Sequence, residues 1–215
     1  MDPQFWHDKW HQNNIGFHDA KVNSMLATYF PTVISKSPVR VFVPLCGKTR
    51  DIKWLLDQGY SVVASELSEV AVMALFSDLG IDPEIVADGS VRRYSAPLID
   101  VFVGDIFELI PHQIGPIDAV YDRAALVALP RNLRNRFGPH VHDLTRGATQ
   151  LLLSFEYDQS LMAGPPFSVK GHEISRIYGQ FYRIEPVSRS MPIDSFNGRL
   201  SQSSGSERTV WHLHK

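Results

Sequence analysis

Short apolar runs alternate with longer amphipathic stretches along most of this chain, and that alternation predicts its architecture. Residues 39–43 (Val-Arg-Val-Phe-Val) are β-branched and aromatic and are stopped by Pro44, so they read as a first strand. Residues 61–65 read as a second strand reaching Glu66, and 100–103 and 117–121 as two more. Residues 149–155 are almost continuously apolar, the pattern of a strand buried on both faces. Helical segments lie between: 50–58 with Gly59 as C-cap, one opening at Ser68 and ending near Gly80, and 131–146 closed by Gly147. Ahead of the first strand, a helix over 5–14 puts Trp6 and Trp10 on one face, and a second runs from about Val22 to Phe30, with 31–38 as connector. Residues 184–187 and 208–213 are candidate final strands, expected to pair antiparallel, with the serine-rich 201–206 as the loop between them. Strands alternating with helices imply βαβ units, hence an α/β fold with a doubly wound, mostly parallel sheet and a final antiparallel strand.

Composition narrows the class. The 215 residues suit one domain and can bury a full core. A hydrophobic fraction of 44% and a charged fraction of 20% are ordinary for a globular protein. The formal net charge of −2 supplies no broad field for nucleic acid or an anionic membrane. The single cysteine, Cys46, excludes an intramolecular disulfide and multi-cysteine metal sites. No apolar stretch approaches the roughly 20 residues needed to span a bilayer, and the N-terminus has no signal-peptide core. A cytoplasmic monomer is expected.

In doubly wound sheets ligands bind beyond the carboxyl ends of the strands. The first strand ends in Pro44-Leu45-Cys46-Gly47-Lys48-Thr49, and Glu66 follows Gly47 by about 20 residues, the spacing of a carboxylate that accepts from ribose hydroxyls. Spacing alone does not separate that role from a solvated acid at a helix start. Gly-Lys-Thr at 47–49 lacks the upstream glycine of a phosphate-binding loop, since position 42 is Phe42. A dinucleotide fingerprint needs three spaced glycines, and only Gly47 is present. A nucleoside cofactor without phosphates, S-adenosylmethionine, escapes both requirements.

Several motifs carry a more specific likeness. Val41-Phe42-Val43-Pro44-Leu45-Cys46-Gly47-Lys48-Thr49, Lys53-Trp54-Leu55, Gly59-Tyr60-Ser61-Val62-Val63 and Glu66-Leu67-Ser68-Glu69 stand in order. They are joined by Tyr121-Asp122-Arg123-Ala124-Ala125-Leu126-Val127-Ala128, Gly164-Pro165-Pro166-Phe167, Trp6-His7-Asp8-Lys9-Trp10 and Phe17-His18. Together they resemble the thiopurine S-methyltransferases, a family of S-adenosylmethionine-dependent enzymes of Rossmann-like fold. The likeness spans nearly the whole chain and weakens after about Ser188. It implies a single methyltransferase domain over 1–215, with 1–38 a helical cover and 39–215 the core.

The resemblance also implies roles. Trp10 lines the cofactor site, where an indole face attracts a sulfonium, while Trp6 anchors its helix on the core. Leu45 contacts the methionine part of the cofactor and Glu66 its ribose. The geometry of the wider methyltransferase class places Asp105 and Ile106 at the adenine, although Asp105 also suits a cap on the turn to Phe107. Arg123 contacts cofactor or acceptor and orients a thiolate; the structural alternative is an ion pair with Asp122. Pro166 and Phe167 belong to a loop at the acceptor pocket, Phe17 stacks on a flat acceptor or packs in the core, and Arg199 adds charge to the pocket. Lys48 reads as an exposed helix-start lysine and Cys46 as a small buried residue without an activating base. Arg131, Arg134 and Arg136 read as solvated helix surface, and His140, His142 and His172 lack metal-ligand spacing, so no metal is assigned. The acceptor implied is a small aromatic or heterocyclic thiol. Selenium or tellurium species are the alternative for a bacterial-type member. From other classes, a nicotinamide-dependent oxidoreductase and a non-catalytic cofactor-binding module remain.

Overall fold

The computed structural model describes residues 2–34, 39–192 and 206–215. Among the described residues nine strands form one sheet: β1 (Arg40–Val43), β2 (Ser61–Glu66), β3 (Glu84–Asp88), β4 (Val91–Ala96), β5 (Ile99–Val103), β6 (Ala119–Asp122), β7 (Thr149–Glu156), β8 (Arg183–Pro192) and β9 (Glu207–His214). The helices are α1 (Pro3–His11), α2 (Ser24–Val33), α3 (Arg50–Asp57), α4 (Glu69–Leu79), α5 (Pro111–Ile114), α6 (Ala125–Ala128), α7 (Arg131–Leu144) and α8 (Gly171–Tyr178). Strand order is β3-β4-β5-β2-β1-β6-β7-β9-β8.

The central five strands, β5-β2-β1-β6-β7, are parallel, and an antiparallel pair flanks each edge. The period-2 geometry of a strand sends successive side chains to opposite faces, and the core divides accordingly. Val41, Val43, Val62, Ala64, Val101, Val103, Tyr121, Leu151 and Leu153 pack on one face with α2, α3 and α4. Phe42, Val63, Phe102, Val120 and Leu152 pack on the other with α6, α7 and α8. A sheet covered on both faces is why these strands read as continuous apolar runs.

Three differences from the sequence reading have local causes. The β3–β4 hairpin was not expected, because Ile85 and Val86 of β3 are exposed and no buried alternation marks it. Its two-residue turn, Gly89-Ser90 after Asp88, is the signal available, with Gly89 at φ 66°. Helix α2 continues through Pro31 to Val33, past the proline that suggested its end. Helix α8 was also missed, although Ile174, Ile177 and Tyr178 form its buried stripe. The loop read at 201–206 and Arg199 lie almost wholly outside the described residues.

The α7–α8 contact makes a packing prediction. A Cβ at Gly138 would overlap Ile177 Cγ2 and come within 3.2 Å of the Tyr178 ring. Gly138→Ala should therefore lower stability by about 1–3 kcal/mol through overpacking, despite alanine's better helix propensity. Urea denaturation checks this, and an unchanged midpoint would contradict it.

Candidate functional site

In the parallel core the carboxyl ends of β1, β2, β5 and β6 emerge on one side, and strand order reverses at β1, between β2 and β6. The loop after β1 is stitched onto β2: Cys46 N donates to Ser65 O at 2.9 Å, Leu45 N to Ser65 Oγ at 3.3 Å, and Gly47 N to Glu66 Oε2 at 2.8 Å. Leu45 and Gly47 both take positive φ, 46° and 54°. Such a conformation strains leucine and suits glycine.

Glu66 is buried, and its other oxygen accepts from Ser68 N at 2.9 Å. Burial raises its pKa, while the N–H groups of Ser68, Gly47 and Leu67 pull it back. It is therefore no solvated acid. It faces a cavity of about 400 Å³ that the strand ends enclose.

Helix α1 closes one side of this cavity. Trp10 is buried with its indole against Gly47, where an added Cβ would come within 3.0 Å of Cζ2. Phe17 meets Trp10 and Trp6 edge-to-face, each at 5.6 Å. Trp6, expected as a core anchor, is only half-buried and lines the cavity with Trp10 and Phe17. The amphipathic spacing is correct, but α1 lies over an opening rather than over packed side chains.

Beyond β5, Asp105 and Ile106 also line the cavity. Asp105 caps the short turn Ile106–Glu108, with Oδ1 accepting from Phe107 N at 3.0 Å. Ile106 is buried, and Phe107 lies beneath the Arg136 guanidinium, 4.5 Å from its ring centre. At the end of β6, Arg123 does not pair with Asp122. It pairs with Asp19 through Nη2, and Nη1 stands 3.8 Å from Asp51 Oδ2. Asp122 is instead committed to Ala125 N at 2.9 Å and Leu126 N at 3.2 Å, holding the start of α6.

Asp51 and Asp19 were not singled out from the sequence. Asp51 is fully buried in the first turn of α3; it accepts from Asn23 N at 2.8 Å and from the Tyr121 hydroxyl at 3.0 Å. An acid on the apolar stripe with Ile52 and Leu55 was the available signal. Asp19 carries none, because the segment after α1 has no regular pattern.

The cavity also reaches Pro165 and Pro166 but not Phe167, whose ring folds against Gly164 and beneath Arg134. Lys48, expected at an exposed helix start, lies at the cavity edge 3.5 Å from Asp78. Cys46 is buried, its thiol pushed well up by burial and by Glu66. Two of the three arginines read as solvated surface are engaged. Arg134 is buried, bonded to Glu173 at 2.9 Å and to Leu129 O at 2.8 Å, and Arg136 covers Phe107. Charge spacing does not reveal such tertiary partners.

A family model described as Thiopurine S-methyltransferase matches residues 1–213. A thiopurine S-methyltransferase from Xanthobacter autotrophicus is 48% identical over 216 residues, covering all of both chains. One from Teredinibacter turnerae is 43% identical, covering 100% of this chain and 98% of that protein. Among solved structures, magnesium protoporphyrin IX methyltransferase from Synechocystis with bound SAH is similar at TM-score 0.63 and 14% identity, covering both chains fully. The 1,6-didemethyltoxoflavin-N1-methyltransferase of Burkholderia thailandensis, with its acceptor and S-adenosylhomocysteine bound, has TM-score 0.63 at 15% identity, covering 99% of this chain and 87% of that one. At such low identity these structures establish the fold.

The buried acids make a pH prediction. Burial raises the Asp122 pKa from an ordinary 3.8 to about 7. The folded chain then holds this proton where the unfolded chain releases it, so stability falls as pH rises through that window and levels off above it. Glu66 adds in the same sense. Asp122→Asn should make the fall shallower in denaturation midpoints measured across the window. A slope identical to wild type would contradict the assignment.

Proposed function

The chain belongs to the thiopurine S-methyltransferase family, and on that premise we propose that it transfers a methyl group from S-adenosylmethionine to the sulfur of aromatic or heterocyclic thiols such as thiopurines. The observation that carries this reading is the Glu66 carboxylate, buried at the cavity wall and bonded to Gly47 N, beside the indole of Trp10. Backbone N–H groups take up part of the roughly four lone-pair sites of the carboxylate, which leaves acceptor capacity for a ribose hydroxyl. The loop presents Leu45 and Cys46, not further glycines, so it suits a cofactor without a pyrophosphate. Neither a nicotinamide-dependent oxidation nor selenium or tellurium chemistry is favoured over this reading.

S-adenosylmethionine supplies an activated methyl group on a sulfonium. The residues of the chain supply position. Glu66 holds the ribose, Ile106 packs on the adenine with Asp105 at its edge, Leu45 touches the methionine part, and Trp10 lays an aromatic wall near the positive sulfur. Direct displacement at carbon needs the acceptor aligned and close, not a covalent enzyme intermediate. Cys46 is no nucleophile here, being buried with a raised pKa.

Arg123 orients the acceptor. It lines the cavity, and its partner Asp19, half exposed on the cover, anchors the guanidinium there. Phe17 and Pro166 wall the acceptor side; Phe167 supports the loop behind Pro166, and Arg199 remains a proposed charge there. The enzyme works as one cytoplasmic domain, a monomer with a small-molecule thiol as its partner. Among the described residues no helix is long and apolar enough to cross a membrane.

Two substitutions test the roles. Glu66→Gln should weaken S-adenosylmethionine binding by roughly 10–100-fold in calorimetry, the worth of charge-assisted hydrogen bonds; unchanged affinity would remove Glu66 from the site. Arg123→Ala should slow labelled-methyl transfer to a thiopurine roughly 100-fold or more. Its melting temperature should move only about 2–4 °C. Wild-type turnover would sink the role of Arg123.

A further inference from the structure

The edge of the sheet farthest from β3 carries a cluster that methyl transfer does not use. His212 and His214 alternate on β9 and so share a face, and their rings stack at 4.5 Å. Across the β8–β9 ladder, Glu185 stands opposite His212 in register. One ligand atom from each of Glu185, His212 and His214 lies within 4.8 Å of the other two. None of the three lines the cavity.

We propose that Glu185, His212 and His214 bind a zinc-class divalent cation that staples β8 to β9. Two imidazoles and one carboxylate form a borderline N/O donor set suited to zinc, with a water completing the tetrahedron. Ligands about 2.0–2.1 Å from such an ion sit roughly 3.4 Å from one another. The separation of His214 Nε2 from Glu185 Oε2 is 3.6 Å.

The rest of the surroundings fits. His214 Nε2 is buried and has no hydrogen-bond partner among the described residues. His214 Nδ1 lies 3.0 Å from the Lys215 carbonyl. When Nδ1 carries the proton and donates to that carbonyl, the Nε2 lone pair faces Glu185, the arrangement that outer partners impose on metal-bound histidines. The Thr149 hydroxyl lies 3.1 Å from His212 Nε2 and steers that ring. Arg183 holds the other Glu185 oxygen at 3.1 Å, leaving Oε2 for the ion. Glu185 is half exposed and free to close the last fraction of an ångström.

An ion here would fasten the C-terminal strand to its neighbour without entering the reaction. The test is Zn²⁺ titration of the chelator-treated full chain by calorimetry, with the visible spectrum of added Co²⁺ as an independent readout. Wild type should bind one ion and gain thermal stability from it. Glu185→Gln and His214→Ala should each weaken binding at least about tenfold and abolish the Co²⁺ spectrum. His172→Ala, on exposed α8 surface, should leave both intact. The exposed position of Glu185 keeps that variant folded. Absence of Zn²⁺ binding by wild type, or equal binding by wild type and both ligand variants, would overturn the proposal.

Discussion

The site depends on one buried carboxylate. Glu66 ends β2, yet its oxygens reach the loop after β1 and the start of α4, accepting from Gly47 N and Ser68 N. Each such bond to a charged acceptor contributes about 1.5–3 kcal/mol, and removing the acceptor strands two buried donors. Burial penalises the ionised form and raises the pKa, while the same contacts that shape the loop pull it part of the way back. With the loop so fixed, Gly47 offers the flat seat on which Trp10 rests, and the cover acquires its position.

A second buried acid performs the corresponding task on the other side of the cavity. Asp51 links α3 to the start of α2 through Asn23 and to β6 through Tyr121, and it stands beside Arg123. Arg123 extends the chain of contacts to Asp19 and so to the segment joining α1 and α2. The N-terminal cover is thereby tied to the sheet by charge at one point and by aromatic edges at another. Buried polar contacts of this kind specify an arrangement more than they stabilise it, since each depends on every partner being present.

Much of the core was legible because its periodicity is forced. The runs at β1, β2 and β7 are apolar on both faces, and the helices between them have clear starts and stops. The β3–β4 hairpin was not legible, since its outer strand buries almost nothing. At the site, the spacing of a glycine turn and an acid drew attention to Glu66, while its burial, which separates it from a solvated acid, needed the tertiary structure. The ion pair of Arg123 with Asp19 joins residues 104 positions apart, and no local pattern encodes it. Adjacency in sequence pointed to Asp122, whose carboxylate is occupied by the backbone of α6. Phe167 illustrates the same limit: it stands next to Pro166 in the chain but turns away from the cavity.

The central claim is that the Glu66 wall holds the nucleoside of the cofactor, with Arg123 on the acceptor side. A crystal structure of the full chain with S-adenosylhomocysteine tests it most directly. The account predicts ribose hydroxyls hydrogen-bonded to Glu66, with Trp10 over the ligand and Ile106 against the adenine. A nucleoside bound elsewhere, or one in this cavity making no contact with Glu66, would contradict it.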